Sequence, residues 1–245
     1  MTLNSGPTTY TPTKFQHLGF GLGQQVPLLE QTTGADGVRF YNTPSGRRYP
    51  SVTTVLSEHS RAAIEAWKER IGREEANRIS TRAANRGTGV HVAIERYLNN
   101  DAPWSEGNFV NPLTVEMFRS IKPNLDRISN IHCQETRMFS HHLRLAGTAD
   151  CIGEFDGKLA IIDFKTSTKP KKKEWISSYF MQCSAYAIMY EELTGIPVPK
   201  TVIIVSVEDD CTTQVFEERR NPWVPELLSL RDHYEQQHQL LTAVS

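Results

Sequence analysis

No stretch of this chain approaches the run of about eighteen apolar residues that a membrane-spanning helix needs, so a span of that kind is excluded. Charge of one sign is missing too: 27 Lys and Arg stand against 28 Asp and Glu, for a formal net charge of −1. A histone-like protein would be strongly basic, whereas an enzyme that releases its product need not be. Any anion-binding charge must therefore be local. Cysteine is scarce. Cys133, Cys151, Cys183 and Cys211 are irregularly spaced with no CxxC pair, which leaves a zinc site and a secreted disulfide framework unsupported. Buried reduced thiols are the plain reading. The first 29 residues hold no acid, but also no Arg and only Lys14, so the Arg-rich pattern of a transit peptide is absent. We therefore expect a chain that stays in the compartment where it was made.

What is present suits one large folded domain: 245 residues, 38% apolar and 22% charged. Residues 1–35, rich in Thr, Gly, Pro and Gln, read as an irregular arm before a single domain over 36–245. Val38–Tyr41 and Arg47–Tyr49 flank the turn signal Thr43-Pro44-Ser45-Gly46 and read as two short strands. Ser51 or Thr53 can cap a helical region over about 51–100. Gly87-Thr88-Gly89 is expected to interrupt it, starting a second helix with Val90, Ile94, Tyr97 and Leu98 as its apolar stripe. Amides freed at that break could bind a phosphate; a simple helix break is the other reading. Glu135–Phe139, Leu145–Phe155 and Lys158–Thr166 read as successive strands, and about 174–194 returns to helical spacing. Thr201–Val207 and Thr213–Phe216 read as two more strands, and Asn221 as the cap of a last helix. This order predicts an α/β sandwich on a mixed sheet.

The geometry of one hairpin can be worked out. A two-residue turn at Asp156-Gly157 pairs Phe155 with Lys158 and, counting back, sets Asp150 opposite Asp163, with Cβ atoms about 4.5–5.5 Å apart. Lys165 shares that face, opposite Thr148. An equally tight turn at His141-His142 would bring Glu135 opposite Thr148 as well. Facing carboxylates are destabilising unless something neutralises them. A hard divalent cation does so, and carboxylate oxygens are ligands that magnesium prefers. Such an ion can lower the pKa of a ligand water and polarise a phosphoryl oxygen. A neighbouring ammonium can orient that water or stabilise charge on phosphorus. The competing reading is a surface hairpin with three solvated charges.

Gly147-Thr148-Ala149-Asp150, then twelve residues, then Asp163-Phe164-Lys165, resembles the PD-(D/E)xK nuclease signature, with Ala149-Asp150 in place of its opening Pro-Asp. Gln182-Cys183-Ser184-Ala185-Tyr186 looks like the QxxxY motif of the RecB-like branch. His91 looks like that branch's upstream metal-binding histidine, and Glu135 matches an acid on the strand before the first aspartate. Arg48-Tyr49-Pro50-Ser51-Val52-Thr53-Thr54 is similar to the exonucleases related to mitochondrial genome maintenance exonuclease and their phage counterparts. The resemblance implies an α/β fold with a restriction-endonuclease-like core, a mixed central β-sheet flanked by helices. It implies Asp150 and Asp163 as metal ligands with His91 and the Phe164 carbonyl, and Lys165 positioning the nucleophilic water. Glu135, Gln182 and Tyr186 join the catalytic set, the last two four residues apart on one helix face and able to hold DNA phosphate or the lysine. A half-buried polar pair and a structural histidine are the bland alternatives.

The implied activity is a Mg2+- or Mn2+-dependent deoxyribonuclease, an exonuclease working from free ends of single-stranded DNA, with no membrane partner. Arg47, Arg48, Ser51 and Thr53 are expected to contact DNA. So are Lys169, Lys171, Lys172 and Lys173, which directly follow the active strand; a solvated charge run is the alternative there. Iron–sulfur members of the branch use one upstream cysteine and a close downstream group of three, which these four do not match, so no iron–sulfur cluster is expected. The expected location is the cytoplasm of a bacterium or phage-infected cell, with the mitochondrion as the alternative. A structure-selective or restriction-type endonuclease, and a catalytically inactive nucleic-acid-binding module of the same fold, are the rival functions.

Overall fold

The computed structural model describes residues 15–34, 37–58, 60–104 and 110–243. Strands β1 (Glu30–Thr33), β2 (Arg39–Asn42) and β3 (Arg48–Pro50) form a small antiparallel sheet. Helices α1 (Val52–Glu58), α2 (Arg61–Ile71), α3 (Arg73–Leu98) and α4 (Pro112–Leu125) follow. The main sheet begins with β4 (Ile128–Ser140), β5 (Leu145–Phe155) and β6 (Lys158–Ser167). It crosses through α5 (Ser177–Thr194) to β7 (Lys200–Val207) and ends with β8 (Thr213–Arg219), before α6 (Val224–Ala243). All its neighbours are antiparallel except β6 and β7. A parallel pair needs a long crossover, and α5 supplies it. This is the mixed sheet flanked by helices that the sequence predicts.

Two cores lie on opposite faces of that sheet. Ile161, Ile203 and Val205 pack with Phe180 and Cys183 of α5. Ile162, Phe164, Val202 and Ile204 pack with Ile94 of α3 and with Met117 and Ile121 of α4. Strands covered on both sides need apolar residues at successive positions, which is why β6 and β7 carry nearly continuous Val and Ile runs. The apolar run of β6 is interrupted at Asp163 and Lys165, which are the residues of interest for a site.

Several expectations need correction. Gly87-Thr88-Gly89 does not interrupt a helix, because α3 runs continuously through it. The amides there belong to the helix interior and cannot serve as a phosphate-binding terminus. The glycines instead permit close packing: a Cβ on Gly89 would lie 3.1 Å from Thr114 Oγ1, and one on Gly87 3.6 Å from Thr166 Oγ1. The break comes earlier, at Gly72, where φ is 88°. Helix α4 has no counterpart in the sequence reading; Asn111 caps it through the Leu113 amide at 3.0 Å, with Pro112 in the first turn.

The β4–β5 turn spans 141–144 rather than the two residues assumed, so Ser140 pairs with Leu145. Thr148 therefore faces Arg137, and Glu135 falls between the Gln134↔Cys151 and Thr136↔Ala149 pairs, level with Asp150 rather than Thr148. Asn221 opens a 3₁₀ turn instead of capping α6, its Oδ1 accepting from Arg220 Nε at 3.1 Å. Residues 1–14 of the expected arm lie outside the described residues. In the remainder, Phe15 and Phe20 are buried, and β1 forms within it.

Candidate active site

The Asp156-Gly157 hairpin has the expected register, from Phe155↔Lys158 to Cys151↔Ile162. The ladder ends one residue before the carboxylates. There Asp150 Oδ2 accepts the Phe164 backbone N–H at 2.9 Å. From α3, His91 Nδ1 approaches the same oxygen to 3.9 Å, and its ring meets Phe164 edge-on. Glu135 completes a group with His91 and Asp150 in which one ligand atom from each lies within 4.8 Å of the others. Its φ of 44° is left-handed, which costs a non-glycine residue about 1–2 kcal/mol. Partial desolvation, then the Asp150 and Glu95 carboxylates, raise the Glu135 pKa to about 7.

Asp163 stands beside this group and is 1% exposed. Gln182 Nε2 donates to its Oδ1 at 3.1 Å. Lys165 Nζ is 2.6 Å from its Oδ2, yet that oxygen accepts no well-directed hydrogen bond. The contact is an ion pair with the oxygen's lone-pair directions left unfilled. Burial raises the Asp163 pKa to about 6; the lysine opposes this and Asp150 reinforces it. Burial works against the Lys165 ammonium, but Asp163 and Asp150 outweigh it and hold its pKa above the usual lysine range. Gln182 also contacts Lys165 Nζ through Oε1 at 3.4 Å and the Tyr186 hydroxyl through Nε2 at 3.3 Å. One amide thus ties acid, lysine and tyrosine together, and Lys165 supplies the neutralising charge that the hairpin argument reserved for a cation. Phe164 contributes its amide and its buried ring.

Donor chemistry tests whether a metal fits. Two carboxylates and an imidazole converge, and Asp163 Oδ2 is a buried anionic oxygen without a directed donor. That set suits a divalent cation. Glu135 and Asp150 open into a cleft of about 560 Å³, which adjoins, across Glu95 and Glu135, a second hollow of about 420 Å³ that His91 lines. A larger hollow, about 1120 Å³, lies between α3 and the start of α4, but no carboxylate lines it, so size alone does not mark the chemistry.

Residues 39–243 match the family profile of the PD-(D/E)XK nuclease superfamily. The chain belongs to that superfamily. It is also similar to three curated relatives named mitochondrial genome maintenance exonuclease 1. The Homo sapiens protein is 29% identical over 173 residues, covering 65% of this chain and 49% of the relative. The Mus musculus protein is 31% identical over 130 residues, 50% of this chain and 38% of the relative. The Xenopus tropicalis protein is 26% identical over 174 residues, 65% and 49%. The chain thus spans about half or less of the length of these relatives.

Other expected contacts scatter. Ser51 and Thr53 line the cleft. Arg48 stacks over Phe40, 4.0 Å from its centroid, and faces a separate hollow with Arg144 and Arg231. Arg47 is exposed, its backbone bonded to Thr43. None of Lys169, Lys171, Lys172 and Lys173 lines the cleft. The Lys171 backbone is pinned to Gln214 of β8, Lys172 lies 5.2 Å from the Trp175 ring centroid, and Lys173 pairs with Glu218.

The sequence reading missed Glu95, Arg39 and Arg137, all in the cleft. Glu95 was within reach, four residues after His91 on one helix. Arg137 was too, two residues after Glu135 along one strand; Arg39 was not, because the packing of β1–β3 on the main sheet decides where it points.

Proposed function

We propose that this chain is a divalent-metal-dependent deoxyribonuclease that removes nucleotides from free ends of single-stranded DNA. The observation that carries the reading is the convergence of His91, Glu135 and Asp150 at the cleft, backed by the buried Asp163–Lys165 pair, which Gln182 ties to the cleft wall. His91, Glu135, Asp150 and Asp163 would hold the cation, with the Phe164 carbonyl as a further oxygen. When bound, it supplies charge neutralisation at the phosphate and a more acidic ligand water. Lys165 orients the attacking water and meets negative charge developing on phosphorus. Gln182 and Tyr186 hold the lysine for that role. The names of the relatives favour an exonuclease over an endonuclease on the same core.

The test is purified chain with end-labelled linear and covalently closed single-stranded DNA, in magnesium, in manganese and in chelator. Linear DNA should be degraded with either metal, circles should survive, and Lys165→Ala and Asp150→Asn should be inactive while folded. Rapid nicking of circles points to the endonuclease rival. Wild-type turnover in chelator, or near-native turnover by Lys165→Ala, sinks the assignment.

A further inference from the structure

The lysine run expected to track DNA lies outside the cleft, so the cleft's own cations need an account. Arg39 and Arg137 both line it beside Glu135 and Asp150. Each guanidinium is held by a neutral acceptor: Arg39 Nη2 donates to Thr53 Oγ1 at 2.7 Å, and Arg137 Nη1 donates to the Leu29 carbonyl at 3.1 Å. Among the described residues neither has a carboxylate within ion-pair distance. This sets them apart from Arg82 and Arg86, which share Glu208, and from Arg144 and Arg231, which share Glu235. A guanidinium presents five donors in a planar fork, so each arginine keeps most of its donors unused.

We propose that Arg39 and Arg137 form a clamp for the phosphate of the nucleotide next to the scissile bond, a subsite separate from the metal group. Three carboxylates, Glu95, Glu135 and Asp150, face the same cleft and repel an incoming phosphodiester chain. A cation at the His91–Glu135–Asp150 group offsets that repulsion at one phosphate only. The two unshared guanidinium charges offset it at the next. Placement agrees with this order. Arg137 follows Glu135 by two residues on β4, about 6.6 Å along a strand, and lies opposite Thr148, two residues from Asp150 on β5. Arg39 reaches in from the small sheet, anchored to α1 through Thr53. Scissile and flanking phosphates thus meet different parts of the fold.

The inference rests on the nuclease reading, and the experiment separates the two. Binding of fluorescein-labelled oligothymidylate is followed by anisotropy against salt at fixed magnesium, on the Lys165→Ala background so that the probe survives. Each phosphate contact on a single strand contributes about 0.7 to the slope of log affinity against log salt. Both arginines act on one phosphate, so Arg39→Gln and Arg137→Gln should each lower the slope in part, and the double variant by about 0.7 in all. Arg39→Lys and Arg137→Lys should retain the slope, since charge is kept. Arg119→Gln, on an exposed pair with Glu116, is the control and should change nothing. In the active chain, Arg137→Gln should raise KM by a larger factor than it lowers kcat. Unchanged slopes for the glutamine variants overturn the clamp. A fall in kcat alone puts Arg137 on the scissile phosphate and overturns the flanking assignment. A parent chain that neither cuts nor binds overturns clamp and nuclease reading together.

Discussion

Gly147 shows how closely the site depends on single atoms. A Cβ there would sit 2.7 Å from Tyr186 Cε1 and 3.0 Å from its hydroxyl, and that ring is buried. Gly147→Ala must push Tyr186 away, disturbing Gln182 and through it Lys165. Overpacking of this kind costs about 1–3 kcal/mol. The expected result is a lower melting temperature together with a lower kcat; an unchanged melting temperature would show that the ring has room to move. The carboxyls make a second test at this scale. Glu135 at about 7 and Asp163 at about 6 lie above their ordinary values. An acid with a raised folded-state pKa favours the folded chain while protonated. That contribution is complete below the unfolded value and is lost as pH climbs through the folded one. In chelator, the melting temperature of the wild type should therefore fall relative to Glu135→Gln between about pH 4.5 and 7, within the window those values set. Parallel curves would show that the Glu135 carboxyl is not perturbed.

Among the elements, α3 matters most, because it delivers His91 from outside the hairpin. It is tied to the end of β6 by Arg86, which donates to Thr168 Oγ1 at 3.0 Å and pairs with Glu208, while Arg82 shares that carboxylate. The Arg86 and Glu208 side chains are 9% and 8% exposed, so water screens this pair little. Removing one partner of a buried pair costs about 3–5 kcal/mol, whereas an exposed pair is worth under about 1 kcal/mol. Glu208→Gln should lower the urea midpoint far more than Glu116→Gln does; equal effects would mean the Glu208 pair is not a structural tie. The elements also mark how far the sequence could be read. The turn at Asp156-Gly157 fixes its hairpin locally, so counting gave the register from Phe155↔Lys158 to Cys151↔Ile162, where the ladder stops one residue short of Asp150 and Asp163. The 141–144 turn carries no such signature, and Glu135 was misplaced by two residues. Gly87 and Gly89 looked like punctuation because their neighbours across the fold, Thr166 and Thr114, are distant in sequence.

On the scale of the whole molecule, the centre draws Glu135, Asp150, Asp163, Lys165 and Gln182 from successive elements, β4, β5, β6 and α5. His91 comes from a helix made earlier and packed on the opposite core. Amide exchange in α3 should accordingly slow more on adding manganese than exchange in β7, which carries none of these residues. Equal protection would mean that His91 contributes nothing to holding the ion. A latent hazard is contained by this layout. If α3 lifts transiently while the sheet stays intact, His91 leaves with it and the His91–Glu135–Asp150 group is dismantled, so on the proposed nuclease reading a half-formed or heat-stressed molecule would lose its cutting power before it loses its shape.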